Sequence, residues 1–375
     1  MTTMYLIRHA EAEGNLYRIA QGQHDSRITD WGYRQIAALA ERFRGEHIDA
    51  VYASDLTRTC VTAGAVAATH GLPIHKCSGL REICVGGWEG KTWGEIARAD
   101  AENLERFTVR PDLWHEEGAE SMETVRDRVM AALARIAEEN DGRTVAVFSH
   151  GCALRLALGA MEGRALSEIG TSPHGDNTAV SKVEYENGAF RVLYRDDNRH
   201  LQALNESVKD LKRPNGVQPG LYFRPLSLPE QAELLTACVR ECWAAAGERR
   251  LFDGETLLRE AAERSVLAAY LEEVPAGVLE LNDEKDAAQR IGWIALYCMD
   301  AAHRGQGLGV QLLGQAVLHF RALGRERLRI AAEPKNDAAL RFFGRYGFVP
   351  AGRTADGRAV LEKNLVPGAW TPEKG

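Results

Sequence analysis

Four short segments carry cationic and acidic side chains of the kinds that act on an anion: LIRHAEAEGN at 6–15, ASDLTRTCVTA at 53–63, LREICVGGWEG at 80–90 and VFSHG at 147–151. Between them they supply Arg8, His9, Arg58, Glu82 and His150. A phosphoryl group spreads negative charge over three oxygens, so its transfer needs cationic donors around it and a nucleophile in line. Arg8, Arg58 and His150 are residues of the type that supplies those donors. Taken singly, an Arg-His pair at a strand end is usually a surface feature and a glutamate a solvated charge. Four segments in this order, each beside an element able to present it, reverse that weighting.

The ordered set resembles the histidine phosphatase, or phosphoglycerate mutase-like, superfamily over about residues 1–200. The resemblance implies an α/β fold, a three-layer domain with a mostly parallel sheet. It implies that His9 attacks phosphorus and becomes a phosphohistidine, splitting one difficult hydrolysis into two easier transfers. Glu82 then matches the group that protonates the leaving alkoxide and afterwards activates water. Asn15, Gln21, Gly22 and Gly151 match positions lining a small phosphorylated metabolite, and no metal or other cofactor is implied for this half. Ala10 stands where glycine is often seen. Hydrolysis is expected over phosphoglycerate mutase activity, the alternative, because mutases of the family usually carry longer insertions around the pocket.

A second group of motifs lies in the rear half. CMDAAHRGQGLGVQLLGQAVLHF at 298–320 follows a strand-like run and opens a helix. Its glycines let backbone approach a pyrophosphate, whose charge is met by N–H groups at a helix N-terminus. Downstream, AAEPKNDAALRFFGRYGFVPAGR at 331–353 adds an asparagine, a helix, paired aromatics and Gly-Phe before a last strand. The pair of motifs resembles the GNAT acyltransferase family over about residues 220–366, which implies an α+β domain with a mixed sheet, acetyl-CoA or another acyl-CoA as cofactor, and an amine-bearing acceptor. By position, Met299, Arg304, Gly305, Gln306, Gly307, Leu308 and Gly309 would hold pantetheine and pyrophosphate, and Asn336 would reach the pantetheine arm. Family members often carry tyrosine as the second aromatic, where it protonates the departing thiolate; this chain has Phe342-Phe343. Tyr346 is the substitute candidate acid, and Glu280 a candidate base that serves equally well as a structural carboxylate. An acyl-CoA-binding module without catalysis is the alternative for this half.

The elements that must position these residues follow from periodicity. MYLIRH at 4–9 and TVAVFSH at 144–150 read as buried strands, each ending in a histidine, and ligands of open parallel sheets bind beyond the carboxyl ends of strands. Between them, TDWGYRQIAALAERFRG reads as a helix begun by Thr29 or Asp30, and SMETVRDRVMAALARIAEEN as one with a capping-box start at Ser121. Alternation by twos around Glu-Asn-Gly at 178–196 predicts a hairpin that closes the first domain. In the rear half a strand (GLYFRPL), a helix (SLPEQAELLTACVRECWAAAG), strand-like runs at 265–281 and 291–299, and a helix over about 305–323 are expected. The domains expected are 1–205 and 220–366, with a polar linker at 206–219 and a tail at 367–375.

The chain has 375 residues, enough for two cores, and its 45% hydrophobic and 26% charged composition is that of a globular protein. A net charge of -7 argues against a general nucleic-acid or anionic-membrane binder. MTTMYLIRHAEAEG lacks the basic start and long apolar run of a signal peptide, and no stretch has membrane-spanning length, so a cytoplasmic protein is expected. The seven cysteines are scattered without a CxxC pair. Cys238 and Cys242 share a helix face, but two thiols without further ligands make no convincing metal site.

Overall fold

In a computed structural model, which describes residues 1–206, 220–247 and 253–366, the front sheet is set by the short apolar runs. Strands β1 (Thr2–Arg8), β2 (Ala50–Ala53), β3 (Ile74–Lys76) and β4 (Thr144–Ser149) pair in parallel in the order β3-β2-β4-β1. Antiparallel β5 (Val180–Glu186) and β6 (Ala189–Asp197) extend the β1 edge. Successive residues Leu6 and Ile7 in β1, and Val145, Ala146, Val147 and Phe148 in β4, are fully buried. Consecutive burial means that both faces of the central strands are covered, as in parallel sheets generally. The hairpin turns at Asn187 and Gly188, with φ of 53° and 82°, the left-handed pair that matches strand twist.

The covering helices include α1 (Asp30–Phe43), α2 (Thr57–His70), α3 (Met122–Glu139) and α4 (Gly151–Met161). Thr29 caps α1 by accepting from Gly32 N. Ser121 caps α3 by accepting from Thr124 N, but the expected capping box is not reciprocal: its third helical position is Thr124, whose hydroxyl meets the Ser121 hydroxyl at 3.0 Å. Threonine is too short to reach back to the cap N–H as glutamate would.

The second sheet has seven strands in the order β12-β13-β11-β10-β9-β8-β7. They are β7 (Leu221–Pro225), β8 (Ser265–Leu271), β9 (Val274–Asn282), β10 (Ile291–Met299), β11 (Arg327–Ala332), β12 (Val349–Arg353) and β13 (Ala359–Asn364). Every pairing is antiparallel except that of β10 with β11. Helices α5 (Ala232–Ala246), α6 (Gly254–Ala262), α7 (Gly309–Ala322) and α8 (Asp337–Arg345) accompany it. The helix expected from about 305 begins instead at Gly309, because Gly305 and Gly307 take φ of 72° and 80°, outside any right-handed helix. Helix α6 carries no signal that the sequence reading used.

The described residues form two compact units, one of residues 1–91 and 99–206, the other of residues 92–98, 220–247 and 253–366. The expected linker and tail lie outside the described residues, apart from Glu206, which ends a short helix (Gln202–Glu206). Among the described residues no helix is long and apolar enough to cross a membrane.

Candidate functional site

Register explains why two histidines 141 positions apart in sequence meet. Arg8 lies opposite Ser149 in the β1–β4 ladder, so the residues that follow, His9 and His150, leave adjacent parallel strands side by side. Their ring centroids are 5.3 Å apart. Arg58 sits on the first turn of α2, just beyond β2, and Glu82 follows the turn Ser78–Leu80 beyond β3. The five residues therefore come from the carboxyl ends of four neighbouring parallel strands.

The protonation state of His9 is fixed by its surroundings. Burial first, then the Arg58 and Arg8 guanidiniums, push it well below the ordinary histidine value, so the ring is neutral at pH 7. Its Nδ1 lies 2.7 Å from the Ala10 carbonyl, an acceptor, so Nδ1 carries the proton and Nε2 keeps the lone pair. Asn177 Nδ2 donates to the His9 carbonyl at 2.9 Å, and the Ala10 N–H donates to the Thr62 hydroxyl at 3.0 Å, fixing the backbone on both sides. His150 is likewise held low by burial and by Arg58, with Nε2 at 2.8 Å from the Ser54 hydroxyl.

Around this ring pair lie polar atoms that the protein does not satisfy. Arg8 Nε, Arg58 Nε and His150 Nδ1 are buried without a hydrogen-bond partner. Buried nitrogen normally finds a partner, and three such atoms on the side chains that surround His9 mark where a ligand's oxygens would complete the set. Three other nitrogens are committed to positioning: Arg58 donates to the Gly22 carbonyl at 2.7 Å and the His24 carbonyl at 3.0 Å, and Arg8 Nη1 donates to the Gly175 carbonyl at 2.6 Å. Burial lowers Arg58 to about 10, opposed chiefly by the Glu82 charge.

Glu82 is anchored at the N-terminus of α4. Its carboxylate accepts from Cys152 N at 3.1 Å and from Ala153 N at 2.9 Å, two donors a helix start leaves available, and from its neighbour Ile83 N. Gly151 leaves room for two other groups of the site, since a Cβ there would lie 3.2 Å from Arg8 Nε and 3.1 Å from His174 Nε2. Asn15 uses its side-chain oxygen to accept from Ala12 N, which leaves its amide nitrogen to donate. Gln21 contributes less directly than expected, because its amide oxygen is taken by the Ser26 hydroxyl; Gly22 acts through the carbonyl that holds Arg58.

Several positioning residues escaped the sequence reading. Arg128 in α3 donates to the Arg81 and Glu82 carbonyls at 2.7 and 2.8 Å while Nε and Nη2 grip the Glu120 carboxylate, so it fixes the loop bearing Glu82. On an amphipathic helix it reads as one more solvated charge. His174, 3.2 Å from Arg8 Nη1, is lowered to about 3, first by that guanidinium and then by burial. It and Asn177 belong to a loop with no periodicity. Ser54, by contrast, lies inside ASDLTR and was within reach of the motif.

In the rear unit the cofactor candidates gather where β10 and β11 part. Their parallel pairing stops at Ile294 opposite Ile330, and a bulge against β9 at the same point bends β10 away. Beyond this wedge the turn 304–308 leads into α7, and nothing lies within 4 Å of the Cβ position of Gly305. An open wedge followed by a left-handed glycine turn and a 14-residue helix start fits a thioester arm and its pyrophosphate. Met299 ends β10 and Leu308 is the cap residue of α7, while the Gly309 carbonyl accepts from the Tyr297 hydroxyl. Gln306 folds back to donate to the Ala302 carbonyl.

The geometry limits how two of the candidates could act. The Arg304 guanidinium donates from Nε to the Met299 carbonyl and from Nη2 to Glu241, so those two nitrogens are committed within the protein. Asn336 spends its side-chain oxygen capping α8 through Ala339 N. Phe343 is 3% exposed and packs on Tyr297, and Tyr346 packs edge-on against Phe342 at 5.0 Å. Glu280, 2% exposed, is raised by burial and held by the Arg264 guanidinium.

Comparison with known proteins agrees with this division. The model of the histidine phosphatase superfamily (branch 1) matches residues 4–198, and that of the acetyltransferase (GNAT) family matches residues 228–348. Phosphoserine phosphatase 1 of Hydrogenobacter thermophilus is 31% identical over 201 residues, 54% of this chain and 95% of that protein. The metal-independent phosphoserine phosphatase of Arabidopsis thaliana is 37% identical over 41% of this chain and 66% of its own length. A probable phosphoglycerate mutase GpmB of Salmonella choleraesuis is 34% identical over 50% of this chain and 86% of that one. Among solved structures, Bacillus stearothermophilus YhfR superposes with a TM-score of 0.53 at 32% identity, covering 54% of this chain and 100% of its own.

Proposed function

The chain belongs to the histidine phosphatase superfamily (branch 1), and on that premise we propose that its front domain, residues 1–205, hydrolyses a small phosphomonoester through a phosphohistidine at His9. The observation that carries this reading is the trio of unsatisfied nitrogens, Arg8 Nε, Arg58 Nε and His150 Nδ1, around a neutral His9. The lone pair on Nε2 attacks phosphorus, the bond to the ester oxygen breaks, and Glu82, carrying a proton taken from the incoming phosphate monoanion, delivers it to that oxygen. Water then attacks the phosphohistidine, gives its proton to the Glu82 carboxylate, and the P–N bond breaks to return neutral His9. Asn15 and the backbone around Gly22 and Gly151 line the alcohol side.

Phosphoserine is the first substrate to try, because two relatives bear that name. Incubation with phosphoserine and related phosphorylated hydroxy acids should release inorganic phosphate. If exchange of phosphate between 2- and 3-phosphoglycerate instead outran its release to water, the mutase alternative would hold, as the name of another relative suggests.

For residues 220–366 the reading is an acyl-CoA-dependent N-acyltransferase. An acyl-CoA bound there supplies an activated thioester. The glycine turn 305–307 and the start of α7 would meet its pyrophosphate with backbone N–H groups, and the β10 edge up to Met299 would receive the pantetheine arm. Replacing Gly307 with valine should weaken CoA binding roughly 5- to 30-fold, since a left-handed φ costs a side-chain-bearing residue about 1–2 kcal/mol. Calorimetric titration with CoA checks this, and an unchanged Kd would contradict the loop's role. The buried Phe343, which has no hydroxyl to donate, favours a second reading as a binding module. CoA binding without acetyl transfer to any member of an amine panel would select that second reading.

A further inference from the structure

Three of the chain's seven cysteines meet in the rear unit. Cys238 and Cys242 lie one turn apart on α5, and Cys298, 2% exposed, faces them from β10. Their Sγ atoms all lie within 4.8 Å of one another, and all three thiols are free. In the sequence the first two have no further ligand; the third arrives only through the packing of α5 on β10. Apolar side chains such as Leu235, Val239 and Val278 surround the group. Thiols that merely fill a core face such neighbours alone. Here the Arg304 Nη2 lies 3.3 Å from Cys242 Sγ, a charge-assisted donor of the kind that suits an anionic sulfur.

We propose that Cys238, Cys242 and Cys298 form a binding site for a thiophilic divalent cation, with Zn²⁺ as its natural size and charge. At a Zn–S bond of about 2.3 Å, tetrahedral thiolates sit roughly 3.8 Å apart. The observed cluster needs only a small closure to reach that spacing. Binding releases three thiol protons to solvent, and three thiolates with one Zn²⁺ carry a single negative charge. The Arg304 guanidinium, which also engages Glu241, lies against that charge and donates toward Cys242. Among the described residues no fourth His, Cys, Asp or Glu joins the cluster, so the fourth position belongs to water or an incoming ligand. Cys298 directly precedes Met299, and Arg304 opens the glycine turn, so the ion would tie α5 to the strand end and loop beside the wedge. This site stands independently of whether acyl transfer occurs.

The test uses the full chain, reduced, stripped with a chelator and titrated with Zn²⁺ against a chromophoric competitor. One equivalent should bind, and Co²⁺ should produce a thiolate-to-metal charge-transfer band. Cys238→Ser and Cys242→Ser, on the half-buried helix face, should each weaken binding by at least about 100-fold, more than an outer-shell partner costs. Cys60→Ser should leave it unchanged, and circular dichroism verifies that each variant is folded. Binding well below one equivalent, or equal binding in the Cys238 and Cys242 variants, overturns the proposal.

Discussion

Replacing His9 with alanine should reduce phosphate release to background, a loss of roughly 10⁴-fold or more, the scale seen when a covalent nucleophile is removed. The size of the effect follows from how completely the position is prepared. Neutrality comes from burial and from Arg58 and Arg8, and the tautomer comes from the Ala10 carbonyl. No neighbouring group is expected to substitute, since His150, the other histidine of the site, has Nε2 engaged with the Ser54 hydroxyl. The cationic cradle should survive the substitution, so inorganic phosphate should still bind competitively. Steady-state assays beside phosphate binding separate the two effects. Retained turnover in the variant would contradict nucleophilic catalysis by His9.

The second large effect concerns Glu82. Changing it to glutamine should slow hydrolysis of alkyl phosphates by roughly 10² to 10⁴, the range for a lost general acid, and slow activated aryl phosphates much less, because their leaving groups need no proton. Glutamine keeps the length of the side chain but has one acceptor oxygen where the carboxylate offers two, so it can retain only part of the anchoring by Cys152 N and Ala153 N. A purely positional defect would therefore depress both substrate classes alike. Equal losses on the two classes would refute the proton-transfer role.

How much of this was legible in the sequence depended on where each residue gets its meaning. His9 and His150 could be read because each ends an apolar run, and a strand end in a parallel sheet is already a place for ligands. Their contact, however, is a property of the β1–β4 register and of nothing local. Glu82 was found through its motif, but its anchoring on the start of α4 and the grip of Arg128 on its loop depend on tertiary packing. A charge on an amphipathic helix carries no mark of the carbonyls it will meet. Arg304 shows the converse: its motif pointed to a pyrophosphate, whereas packing turned its guanidinium toward Glu241 and Cys242. Cys298 likewise gained a possible partnership with Cys238 and Cys242 only when β10 met α5. The late start of α7 was foreshadowed by Gly305 and Gly307, since periodicity located the helix but only their positive φ fixed its first turn.

The covalent intermediate is the centre of the account, and rapid acid-free quenching of a reaction on phosphoserine, followed by peptide mass spectrometry, tests it most directly. The expected result is a phosphate, stable to base and labile to acid, on the peptide containing His9, and its absence from the His9→Ala protein. Steady turnover with no phosphorylated His9 at any time, or the same label in the His9→Ala protein, would contradict it.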